Sequence, residues 1–141
     1  MKPRLSLQFV LFALVSVHSV IAGQIPELDS EPDVVKRSQH ALAMAESYFE
    51  DARQAYSANE IKKGDARLED MTTALNICVA ALNVARKSRL YKPAEMRVMT
   101  LSRRLHTLVG DISVEDRGWA EYTERQVEAV HEKLLLGVMK K

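Results

Sequence analysis

Residues 74–85 read ALNICVAALNVA, an apolar run broken by Asn76 and Asn83, and this stretch decides the fold class. Placed on a helix, Leu75, Cys78, Leu82 and Ala85 continue a stripe that begins with Ile61, Leu68 and Met71. Ala74, Ile77, Ala81 and Val84 add a second apolar face beside it. A helix with two apolar faces is buried between neighbours, so the segment from Glu60 to Arg89 is expected at the centre of the fold. Gly64 falls in its first turns, where a weak helix former costs less than at the middle.

Reading outward toward the N-terminus, Val35, Leu42, Ala45, Phe49, Ala52 and Tyr56 form one helical stripe, widened by Val34, Ala41, Tyr48 and Ala55. Ser30 fits an N-cap for this helix, with Pro32 in its first turn and Asp33 three residues on. Its end is expected between Ser57 and Asn59. Toward the C-terminus, Ser88 to Lys92 is a break and Pro93 opens a third helix along Ala94, Val98, Leu101, Leu105, Leu108 and Ile112. Gly110 and Asp111 mark its stop. Ser113 with Asp116 repeats the cap pattern before a fourth helix lined by Ala120, Val127, Val130, Leu134 and Val138.

No stretch alternates with period two, and no Asn-Gly or Asp-Gly hairpin turn occurs. The fold is therefore expected to be all-α, an antiparallel four-helix bundle over residues 31–141. The alternative is a short tetratricopeptide-like stack of helical hairpins, suggested by Gly64-Asp65 and the alanine-rich second helix. Self-similarity at roughly 34 residues, which that repeat requires, is missing.

The first residues carry Lys2 and Arg4 with no acid, followed by an apolar run from Leu5 to Ala22 that includes Gln8, Ser16, His18 and Ser19. Val20 and Ala22 supply small side chains ahead of Gly23. Basic start, short apolar stretch and small-residue exit are the pattern of a secretory signal peptide over residues 1–22, with residues 23–30 as a polar leader. The alternative is an uncleaved signal anchor; a spanning helix needs about 20 predominantly apolar residues. The expected location is the periplasm or outside the cell, with no stable membrane insertion after cleavage.

Charge bounds the partners. Of 20 basic residues, loss of Lys2 and Arg4 leaves 18 against 19 acidic, a net −1. Nucleic-acid binding needs a clear basic excess, so no such partner is expected. Acids concentrate between Gln24 and Glu60 and bases between Arg86 and Arg104, which suits two neighbouring helices of opposite sign. Cys78 is the single cysteine, so no internal disulfide can form and the core alone holds the domain.

Few patterns carry chemistry. Glu128 and His131 stand three apart, so they share a helix face, and a Glu-x-x-His pair is how dinuclear bundles hold metal. Such sites need two pairs; His40 and His106 are preceded at that spacing by Arg37 and Arg103. Cys78, on the most apolar helix, reads as an inert core thiol. Gly-rich phosphate loops, zinc-protease helices and serine elbows do not occur. Catalytic residues and cofactors are therefore not expected. Met96, Met99 and Met139 lie beside the stripes, where they pack at the periphery or meet a partner. Trp119, on the first turns of the fourth helix, either closes the bundle end or anchors a protein contact, with Arg103 and Arg104 as further contact residues.

Residues 91–141 carry the elements Lys92-Pro93-Ala94-Glu95, Arg103-Arg104-Leu105, Glu115-Asp116-Arg117 and Leu134-Leu135. In these the chain resembles a group of small exported all-helical bacterial proteins. The resemblance covers about a third of the chain and implies no activity. The expected function is a non-enzymatic protein-interaction or structural module of the bacterial cell envelope, meeting an envelope protein or a second copy of itself. The alternative is a metal- or cofactor-binding bundle built on Glu128 and His131.

Overall fold

A carboxylate starts the first long helix. Asp33 Oδ1 accepts the backbone N–H of Val35 at 2.9 Å and of Lys36 at 3.2 Å, and these bonds hold the Asp33 carboxyl below its ordinary pKa. Ser30, expected in that role, instead donates its hydroxyl to the Glu27 carbonyl at 3.1 Å and finishes an earlier turn. The proline at 32 explains the shift, because it drives Glu31 out of the helical region. Arg37 Nε then ties the two segments together, donating to the Glu31 carbonyl at 2.9 Å.

The computed structural model describes residues 25–140 as five α-helices: α1 (Pro26–Asp29), α2 (Val34–Ser57), α3 (Ile61–Ala85), α4 (Tyr91–Asp111) and α5 (Gly118–Met139), with a 3₁₀ turn at Ser88–Leu90. The described residues contain no strand, so the all-α expectation holds. The proposed secretory signal over residues 1–22 lies outside the described residues, as does the beginning of the leader. Within residues 25–140, no helix is long and apolar enough to cross a membrane.

The remaining leader is a correction. It folds as α1, with Pro26 in its first turn and Leu28 fully buried. Four residues are too few to show a helical period, so only burial against the rest of the chain reveals the element.

Backbone chemistry sets the other boundaries. Asn59, at φ 59°, turns the chain between α2 and α3, a left-handed position that asparagine tolerates. Arg86, at φ 52°, ends α3 and donates its N–H to the Leu82 carbonyl. The helix therefore stops at Ala85, short of the expected Arg89. Pro93 is the third residue of α4 rather than its opening. Its missing N–H is harmless there, because the first four N–H groups of a helix have no intrahelical acceptor. Ser113 Oγ donates to Asp116 Oδ2 at 2.9 Å and closes a turn, and α5 begins only at Gly118.

Helix pairing follows the apolar stripes. The most extensive contact joins α2 to α3, the next α4 to α5, and the third α5 to α3. Leu68, Met71, Leu75, Phe49, Leu105 and Leu134 fill the space between them. The α2–α4 seam is narrower and has a polar rim: Arg97 Nε meets Glu46 Oε1 at 2.7 Å, and Arg104 Nη2 meets Glu50 Oε2 at 3.0 Å. Although consecutive, α3 and α4 are not among the closely packed pairs. Consequently α3 is not buried all round, and Val84 of its expected second face is 66% exposed.

Two close approaches lock the helix pairs. A Cβ on Gly64 would lie 2.7 Å from the Tyr56 ring, and one on Gly137 would overlap the Tyr91 ring. Tyr56 also donates its hydroxyl to Asp65.

Candidate functional site

Glu95 is the one charged side chain that is buried among the described residues, at 4% exposed. A buried carboxylate is costly unless it is paired and hydrogen-bonded, and both of its oxygens are used. His131 Nε2, reaching across from α5, lies 2.7 Å from Oε1, and Lys92 Nζ lies 2.9 Å from Oε2. The His131 hydrogen bond, and after it the lysine, hold the Glu95 carboxyl below the usual glutamate range. A carboxylate on Nε2 also fixes the orientation of the imidazole and leaves Nδ1 as its second polar atom.

His131 is thus bonded to Glu95 on the neighbouring helix, while Glu128, its expected partner, points to solvent. Shared face alone did not bring that pair together, because α4 presents a drier carboxylate to the same imidazole. No group of three or more His, Cys, Asp or Glu side chains stands together as a metal-binding set among the described residues. Glu95 also carries a signal in the sequence. It stands three residues before Val98, next to Ala94, so an acid occupies an apolar register position.

A second locus lies near the other end of α5. Trp119 is 41% exposed and Tyr122 is 44% exposed. Their ring centroids are 5.3 Å apart at a tilt of 41°, and the Arg125 guanidinium lies 5.9 Å over the Tyr122 ring. Ala120 and Thr123 turn inward and anchor the same turns of helix. A shallow hollow beside Trp119 is lined by Lys62, Asp65, Ala66 and Glu69 of α3. Trp119 therefore stands on the surface along α3. Tyr122, not singled out in the sequence, completes an aromatic pair whose three-residue spacing was there to be read.

Arg103 and Arg104 separate in role. Arg104 is engaged within the chain, bonded to Glu50 and lying 4.7 Å from the Phe49 ring centroid. Arg103 is exposed, with Met99 Sδ 3.7 Å from its Nη2. Comparison with known proteins finds no matching family model, no matching curated protein and no matching solved structure. The side chains themselves therefore carry the functional argument.

Cys78 is buried, and burial pushes its thiol up to about 11. With Leu42, Leu82, Ala94 and Arg97 it lines a cavity of about 260 Å³. A thiol held protonated at neutral pH is a poor nucleophile.

Proposed function

We propose that this chain is an exported, non-enzymatic protein-interaction module of the bacterial cell envelope, in which a bundle of four long helices carries α1 as an added cover. The contact face is the Trp119–Tyr122 pair on α5. The observation that carries this reading is the exposure of two adjacent aromatic rings on one well-anchored helix face. Large, rigid side chains bring contact area with few rotamers to freeze, which is why tryptophan and tyrosine dominate the energetics of protein interfaces. Arg125 over Tyr122, together with the mixed charges of Lys62, Asp65 and Glu69 beside Trp119, supplies a polar rim. The signal-like segment over residues 1–22 supports export, and cleavage before Gly23 would release the helical domain.

A photo-activatable residue placed at Tyr122 tests the interaction. Expressed for export and irradiated in cells, it should give one discrete adduct, with an envelope protein or with a second copy. The same residue at Lys36 on α2 should give none. Equal labelling from both positions, or no adduct from Tyr122, would remove the proposal. Mass measurement of the purified product should match Gly23 to Lys141.

A further inference from the structure

The opposite end of α5 contains a cleft of about 560 Å³ that the aromatic face does not involve. Three cations line it: Arg86 at the end of α3, Lys133 on α5, and Lys140 just past the end of α5. No acidic side chain lines the cleft, and among the described residues none of the three has a carboxylate within 4.0 Å. Cations elsewhere on the surface are of both kinds: Lys63, Arg67, Arg97 and Arg104 are paired, whereas Lys36, Lys62, Arg103 and Arg125 have no carboxylate within 4.0 Å among the described residues. The cleft differs in gathering three of the second kind.

The floor of the cleft is built rather than incidental. The Tyr91 ring lies against Gly137 so closely that no other residue type fits there unless the ring moves. Tyr91 donates its hydroxyl to Asn83 Oδ1 at 2.8 Å, which leaves the Asn83 amide N–H₂ as a donor beside the cations. Arg86 is one of two non-glycine residues at positive φ among the described residues. For a branch-free but bulky side chain this conformation is uncommon.

We propose that this cleft binds an organic phosphate. A carboxylate would neutralise one of three clustered positive charges, whereas a phosphate monoester neutralises about two and offers three acceptor oxygens to an arginine fork and two ammonium groups. The volume lies within the range of about 300–1,000 Å³ found for small-molecule sites. It leaves room for a body beyond the phosphate, against which Leu136 and the Tyr91 ring form the apolar wall. The competing account is that Arg86 and Lys140 only offset the negative ends of the α3 and α5 dipoles.

Calorimetric titration of the full chain with two probes decides between them: phenyl phosphate, and monomeric short-chain phosphatidic acid. Saturable binding is expected, weakened by about tenfold or more in the double variant Arg86→Gly, Lys133→Gln. Glycine relaxes the left-handed position, so Arg86→Gly should keep or raise the melting temperature, and loss of binding cannot then be ascribed to unfolding. Tighter binding of phosphatidic acid assigns a lipid headgroup as the source, and tighter binding of phenyl phosphate a soluble organic phosphate. Absence of binding to both probes, or binding that survives the double substitution, would overturn the site and leave the cations to the helix dipoles. Neither result bears on the Trp119–Tyr122 face, so this site and that reading fail separately.

Discussion

Two glycines in helices have opposite reasons for being glycine. At Gly137 an added Cβ would run into the Tyr91 ring, whereas at Gly110 nothing lies within 4 Å. Alanine favours a helix interior over glycine by about 1 kcal/mol, and overpacking costs about 1–3 kcal/mol. Gly137→Ala should therefore lose up to about 2 kcal/mol net, and Gly110→Ala should gain about 0.5–1 kcal/mol. Urea unfolding of both variants checks the pair, and a Gly137→Ala protein stabilised as much as Gly110→Ala would mean that Tyr91 does not hold its place. Cys78→Ser should cost about 1–3 kcal/mol by placing a hydroxyl in an apolar site. In the same vein, the native thiol should resist alkylation at neutral pH until the protein is unfolded. That Cys78 is buried was legible from its stripe. The fit of Tyr91 on Gly137 was not, since 46 residues of chain separate them.

At the scale of elements, α4 and α5 are joined through Glu95, and this junction should be felt as a pH dependence. The folded state holds the Glu95 carboxyl below its ordinary value, so in a window around and below that value the unfolded chain binds the proton first. Stability is then fully present above the ordinary glutamate range and lost as pH falls through the folded-state pKa. Between pH 6 and 3 the urea midpoint of the native protein should fall. In Glu95→Gln the fall should be shallower but not absent, because Glu50 and Asp33, also held low, remain. A Glu95→Gln curve parallel to that of the native protein would show that the pair contributes nothing. Periodicity located both helices within a few residues of their ends. It could not say that His131 turns to Glu95, because a histidine on a helix edge reaches carboxylates on its own helix and on its neighbour alike.

For the whole molecule, the addition of α1 changes what counts as the domain. Leu28 is fully buried in the same core cluster as Phe49 and Leu75, so the leader belongs to the fold. Leu28→Ala should cost about 2–5 kcal/mol, as other buried leucines do. A loss under about 0.5 kcal/mol, the level of a surface substitution, would show that α1 is an ornament. Calorimetric unfolding of this variant should remain a single transition at a lower temperature, since one core serves all five helices.

Helical class, the four long amphipathic helices and the main inward stripe of each were legible in the chain alone, although Val84 of the second face read on α3 is exposed. Those properties depend on side chains three and four residues apart, a distance over which periodicity carries the signal. Packing across the chain settles that α1 folds, that α5 packs on both α3 and α4, that Glu95 is buried with His131, and that three cations share one cleft. Each of these depends on groups brought together across long loops of chain, where burial and competition among partners choose the contact and no local pattern records the choice.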